Sequence, residues 1–373
     1  MMGWGGVYTV SMSVPSQESQ SVHLADAELP LVTSGLPGIG GVLKSEPADF
    51  IVEEIPAYPP EESGEFLFAW VEKTGLSAEQ LTSHLARHLG IAHQDVGQAG
   101  MKDRQAVTRQ LISVPARCAG ALAAFEHDQI RVLETHRHRH KLRTGHLKGN
   151  RFIILVRDVT PHAAERGQAI GDELTRRGVP NYFGEQRFGR DNETLQLGFD
   201  LLRGVKQPGD IPRARRKFLL RLALSAAQSA LFNQALADRI RAGALLTVQV
   251  GDVMQVVASH GLFVAEDLAC EQPRFDAHEI VPTGPIFGPK MVAARSEPGA
   301  REARLLDEFQ LTADVFAQYG KLTLGTRRAY VTYPGDLQVA AEGHDLRLQF
   351  TLPAGCYATV LLAEFMKAGG AKA

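Results

Sequence analysis

In "AGMKDRQAVTRQ", residues 99–110, one carboxylate stands among cations: Asp103 lies between Lys102 and Arg104, with Arg109 following. Cations at this density can hold an anionic polymer. A lone carboxylate can attack an electrophilic carbon or take up a proton. Gly100 lets the backbone ahead of them turn or approach a ligand closely. If Asp103 continues an extended strand edge, Lys102 and Arg104 point away from it and toward phosphate. A carboxylate kept ionised in a desolvated pocket needs a cation nearby, and Lys44 in "LKSEPADF" is the candidate partner.

Two further groups of residues could bind a polymer. The segment "RVLETHRHRHKLRTGHLKGNR" (131–151) holds seven Arg/Lys, four His and one acid. In a strand its alternation puts Arg137 and Arg139 on one face and His136, His138 and His140 on the other. The arginines, with Lys141 and Arg143, suit a face that tracks phosphates; a solvated basic strand pair is the plainer alternative. Three histidines on one face could serve a metal-dependent hydrolase, but no Cys or carboxylate completes a ligand set, so no metal is expected. A second basic cluster, "RARRKFLLR" (213–221), would face the first across a cleft wide enough for a folded RNA. The stretch "VPNYFGEQRFG" groups Asn181, Tyr182, Phe183, Arg187 and Phe188, which either plug a domain junction or stack unpaired bases.

The elements that must position these residues can be read in outline. The 373 residues suffice for two domains, and 44% hydrophobic with 22% charged residues is the composition of a globular protein. A net charge of −2 leaves any nucleic-acid surface local. Three scattered cysteines favour a reducing cytoplasm, and the start lacks a signal-peptide pattern. "ADFIVEEI", "GEFLFAWVEKTG", "TRQLISVP", "RVLETHRHRHK" and "NRFIILVRDV" read as strands. "SAEQLTSHLARHLG" reads as a helix with a Ser77 cap, Gln80 at the capping-box spacing and a closing Gly90. From "VPNYFGEQRFG" to about residue 330 the texture turns mostly helical, with the longest helix at 216–243 and "VPTGPIFGPK" (281–290) expected as an irregular loop. Strands and a helix return at the end. This order suggests an α+β core interrupted by a second domain.

Taken together, "LKSEPADFIVEE", "AGMKDRQAVTRQ", "LKGNRF", "GVPNYFGEQRFG", "QSALFNQ" (228–234), "RRAY" (327–330) and "LPAGCYAT" (352–359) resemble the TruD family of tRNA pseudouridine synthases. The resemblance runs in order from about Leu36 to Phe365. It implies an α+β fold with a mixed, largely antiparallel sheet of the pseudouridine-synthase type, interrupted by an inserted α+β TRUD domain. The expected division is a disordered extension at 1–35, a catalytic domain at 36–177 and 331–373, and an insertion at 178–330. The implied activity is isomerisation of uridine to pseudouridine at position 13 in the D arm of transfer RNA, without a cofactor. Asp103 would be catalytic, with Lys44, Phe50, Lys102, Asn150 and Phe152 around the substrate and Phe152 stacking on the target base. Transfer RNA is the implied partner, with neither DNA nor membrane expected, and a monomer would suffice. A non-catalytic RNA-binding protein would need the cations but not Asp103.

Overall fold

A computed structural model describes residues 29–59 and 61–367. The first half builds most of one large sheet: β1 (Phe50–Pro56), β2 (Phe66–Thr74), the short β3 (Gly97–Gln98), β4 (Val107–Pro115), β5 (Ile130–His138) and β6 (Leu147–Val156). Helix α1 (Ala78–Leu89) follows β2, α2 (Ala119–Ala123) precedes β5, and α3 (Ala163–Arg177) follows β6. Helix α1 begins where expected: Ser77 and Gln80 form the reciprocal capping box, and Gly90 closes it in the left-handed conformation.

The chain then leaves the sheet. It forms β7 (Val179–Pro180), α4 (Glu193–Leu202), the long α5 (Arg216–Arg241), β8 (Val253–Val256), β9 (Leu262–Val264), α6 (Leu268–Asp276), β10 (Ile280–Ile286), α7 (Ser296–Glu308) and β11 (Thr326–Ala329). Strands β11, β10, β8 and β9 make a separate four-stranded sheet. The pair β12 (Val331–Thr332) with β7 leads back to β13 (Gly335–Glu342), β14 (Asp345–Pro353) and α8 (Ala358–Met366). The large sheet has the order β13-β14-β6-β1-β4-β2-β5, with β3 also on β4. Its neighbours run antiparallel except β1 and β4.

Register fixes one face of this sheet. Lys73 lies opposite Thr108, Thr108 opposite Val52, Val52 opposite Phe152 and Phe152 opposite Phe350, a single row across five strands. At one end, Leu67, Ala69, Val71, Ile112 and Val114 pack under α1 and α2. At the other, Phe50, Val52, Phe152, Ile154 and Phe350 pack with residues of α3 and α8. Between the two apolar covers runs a polar strip.

Two expectations need correction. Part of the proposed disordered extension is folded: Val32 and Thr33 are buried, and their main-chain N–H groups donate 2.9 and 3.0 Å to the Glu364 carboxylate on α8. A buried carboxylate satisfied by this segment ties it to the core; residues 1–28 lie outside the described ones. The segment 281–290 is not a loop throughout, since residues 280–286 form β10 despite Pro282 and Pro285. Proline cannot donate, but its carbonyl still accepts, and Pro282 O takes the Tyr330 N–H at 2.9 Å.

Candidate active site

The polar strip is built by alternation. Phe50, Val52 and Glu54 share one face of β1, and Asn150 stands opposite Glu54 on β6. On β4 the same face carries Thr108 and Gln110, and on β2 it carries Lys73. Lys73, Glu54, Thr108 and Gln110 are all buried. The 99–106 segment crosses this strip. Asp103 lies in the irregular stretch between β3 and β4, the loop between two strands that the flanking segments "DVGQAG" and "TRQLISVP" predict, and not on a strand edge.

Three lysines hold that stretch. Lys44 Nζ lies 3.4 Å from Asp103 Oδ2 and 4.6 Å from the Phe50 ring centroid, so its charge touches both the carboxylate and an aromatic face. Lys44 itself has φ 57°, an uncommon backbone state for a lysine. Lys73 Nζ donates to Asp103 O at 2.8 Å and to Leu76 O at 2.7 Å. Burial pushes its ammonium down to about 8, with Lys102 adding to the shift and Asp103 opposing it. Lys102 Nζ pairs with Glu54 Oε2 at 2.7 Å, with both side chains 5% exposed or less. Burial raises the Glu54 pKa, and Lys102 opposes that rise. The Asp103 carboxylate, at 39% exposure, is left open to a ligand.

Several polar atoms of the strip have no hydrogen-bond partner among the described residues: Glu54 Oε1, Thr108 Oγ1, Asn150 Oδ1 and both amide atoms of Gln110. Buried groups of this kind normally have partners, so the strip has unused donors and acceptors beside Asp103. Phe152 is 7% exposed, its ring stacked 5.2 Å from Phe350 and edge-on at 6.4 Å to Phe50. Most of its face is already covered by protein.

The cations of the 99–110 stretch are not a free phosphate surface. Lys102 is neutralised by buried Glu54. Arg109 is on the opposite face of the sheet, where it pairs with Glu53 and, at 2.8 Å, with Glu72. Arg104 is exposed and donates to Gly75 O at 3.4 Å. Sequence reading missed Lys73, Glu54 and Gln110. The only signal for them was polarity where a half-buried strand should be apolar.

The basic segment reaches the same neighbourhood by its loop: Gly145 N donates to Ala99 O at 2.8 Å, and Leu142 N to Ser113 Oγ at 2.9 Å. Arg137, Arg139 and Arg143 are exposed and Lys141 is half-buried. The histidine row does not form a ligand set. His138 is buried and stacks on Phe68 at 4.1 Å, and His136 stands 3.4 Å from Glu134. No group of three or more metal-ligating side chains occurs among the described residues. In "VPNYFGEQRFG", Tyr182 and Phe188 are buried, Asn181 hydrogen-bonds Ala329 O, and Phe183 is half-buried. That is largely a plug between segments. Arg187 remains half-buried, bonded to the Ser225 and Ser229 hydroxyls.

Comparison with known proteins now separates a family from a generic basic cleft. The sequence model for tRNA pseudouridine synthase D (TruD) matches residues 27–207 and 200–365. The chain belongs to the TruD family of tRNA pseudouridine synthases. A tRNA pseudouridine synthase D from Anaeromyxobacter dehalogenans (strain 2CP-C) is 42% identical over 342 residues, covering 91% of this chain and 97% of that one. Another, from Geobacter sp. (strain M21), is 37% identical and covers 90% and 98%. A Methanosarcina mazei crystal structure described as a tRNA pseudouridine synthase D superposes with a TM-score of 0.73 at 25% identity, covering 91% of this chain and 96% of that one. Within the family fold, no helix among the described residues is long and apolar enough to cross a membrane.

Proposed function

We propose that this member of an isomerase family converts uridine to pseudouridine in transfer RNA, with Asp103 as the catalytic anion. The observation that carries the reading is a single accessible carboxylate, 3.4 Å from Lys44, its own main chain held by buried Lys73 above a strip of unpartnered polar groups. The D arm, at position 13, is the site that the family resemblance implies.

The reaction detaches uracil from its sugar at N1, turns it and rejoins it through C5, which gives up its hydrogen as a proton while N1 gains one. No atoms are gained or lost, so the balance requires no redox partner. Asp103 as an anion either attacks the nucleotide or removes a sugar proton as the base departs, with the Lys44 ammonium 3.4 Å from its carboxylate. The detached uracil must be retained and shielded from water, since hydrolysis would leave an abasic site. Gln110 and Asn150 offer amide groups to a base edge there, and Phe50 with Phe152 forms the apolar wall. Extruding the nucleotide costs on the order of a few kcal/mol. Phosphate contacts from Arg137, Arg139, Lys141, Arg143 and Arg187 offset that cost. We take residues 178–330 as the insertion that supplies the far wall of the cleft, and cytoplasm as the place of action.

The test is Asp103→Asn, nearly isosteric and neutral. Single-turnover pseudouridine formation should fall below detection while tRNA binding and thermal melting stay near wild type. Near-normal turnover by the folded variant would falsify the assignment of Asp103, whereas a wild-type chain that binds tRNA and makes no pseudouridine would point to a binding-only protein.

A further inference from the structure

Four stretches distant in sequence meet away from Asp103. Residues of "VPNYFGEQRFG", "QSALFNQ", "RRAY" and "LPAGCYAT" line a groove of about 500 Å³ between the inserted segments and the end of β14. Arg187 enters it from the turn after β7, and its guanidinium is held by the hydroxyls of Ser225 and Ser229 on α5. Arg328 enters from β11 and donates to Asn181 O at 3.1 Å, Asn181 Oδ1 at 2.5 Å and Gly355 O at 2.9 Å. Their guanidinium carbons lie 5.6 and 4.2 Å from the Phe183 ring centroid. Asn233 fixes that ring by bonding Phe183 N and O at 2.8 and 2.9 Å.

The two arginines share a chemical peculiarity. Each hydrogen-bonds only neutral oxygens among the described residues, and none of the groove's lining side chains is acidic. Elsewhere this fold neutralises its buried arginines. Arg327, one residue from Arg328, pairs with Glu302 at 2.8 Å, and Arg239 pairs with Asp252 at 2.7 Å. Two half-buried guanidiniums on one ring, both pre-oriented by neutral acceptors and neither paired with a carboxylate among the described residues, suit an oxyanion. The groove also adjoins the candidate active site: Pro353 lines it and lies opposite Gly149, next to Asn150.

We infer that Arg187 and Arg328 form a clamp for one backbone phosphate of the RNA strand that leads into the Asp103 pocket. The inference rests on the tRNA reading above and adds to it a defined anion site, with Phe183 as the platform on which the two guanidiniums are stacked.

The decisive variant is Ser225→Asp, which leaves both arginines in place but gives Arg187 a carboxylate of its own. On the full chain, with binding of unmodified tRNA measured over a salt series, it should weaken binding several-fold. The slope of log K against log salt should shrink by about 1, as for loss of one phosphate contact. Melting should be unchanged or slightly raised. Arg187→Gln should have the same effect on binding, and the two changes together should add little to either. A folded Ser225→Asp protein with wild-type affinity and slope overturns the clamp. If that variant does not fold, unchanged affinity and slope in Arg187→Gln overturns it equally. Neither result touches the isomerase reading, which fails separately if the wild-type chain makes no pseudouridine in tRNA that it binds.

Discussion

Lys73 donates to the main-chain carbonyl of Asp103, not to its carboxylate. The side chain, paired among the described residues only with Lys44, therefore stays free for substrate, while the backbone beneath it is fixed from inside the sheet. Lys73→Met should leave tRNA binding within about twofold and lower the single-turnover rate by about 10- to 100-fold, because small misplacements of a reacting group cost that much. Parallel losses of affinity and rate would instead mean that Lys73 merely keeps the domain folded.

The same lysine makes a pH prediction. Its folded pKa, about 8, lies below the ordinary 10.5, so the folded state holds its proton less firmly than the unfolded chain does. The cost of burying the charge is complete below pH 8 and fades as pH rises toward 10.5. Wild-type stability relative to Lys73→Met should therefore rise between pH 8 and 10. Urea unfolding of both proteins at pH 7.5 and 9.5 measures the difference, and a constant gap would place the ammonium in a far wetter site.

Glu54 and Lys102 predict a stability effect of a different kind. Removing one partner of a buried pair strands the other charge, at about 3–5 kcal/mol. Glu54→Gln should be destabilising to that extent at neutral pH, and adding Lys102→Met should recover much of the loss. A double variant no more stable than Glu54→Gln would show that the pair is not coupled.

What could be read in the sequence and what could not divides along physical lines. The helix at 78–89 was legible because a capping box is local chemistry. The Asp103–Lys44 juxtaposition was reachable because a pocket anion needs a cation. Lys73 was not: "GEFLFAWVEKTG" reads only as a strand, and it is the register with Thr108 and the returning Asp103 loop that bury its lysine. Lys102 and Arg109 read as cations open to an anionic polymer because Glu54, Glu53 and Glu72, their neutralisers, lie about 30 to 60 residues away and are brought close only by strand pairing. Strand β10 was hidden by two prolines: Pro282 still accepts the Tyr330 N–H through its carbonyl, and Pro285 keeps its register opposite Arg327.

Phe152 separates stacking from packing. Its ring is mostly covered by Phe350 and Phe50, so Phe152→Ala should lose about 3–5 kcal/mol of stability as a core truncation. Base stacking alone would cost about 1–3 kcal/mol in binding. Melting and tRNA affinity measured together decide the share. A variant with wild-type melting and weakened binding would show a ring far more available to RNA than its 7% exposure implies.

The basic edge makes a prediction that composition alone could not. Arg137 donates to Gly64 O at 3.2 Å, a neutral acceptor, whereas Arg139 stands 3.3 Å from the Glu61 carboxylate. An arginine already paired releases fewer counterions when it meets phosphate, so the two should contribute unequally. Arg137→Glu should weaken tRNA binding more than Arg139→Glu and reduce the salt slope by about 1 or more. Removing the competitor should act in the opposite direction: Glu61→Gln frees Arg139 and should tighten binding by about two- to threefold at low salt, the gain vanishing as salt screens it. Stability should hardly move, because exposed pairs of this kind contribute about 0–1 kcal/mol. Binding isotherms for the three variants at two ionic strengths suffice. Equal losses for the two arginines together with no gain from Glu61→Gln would mean that Glu61 does not compete with RNA for Arg139, and that the tRNA backbone does not cross this edge of the sheet.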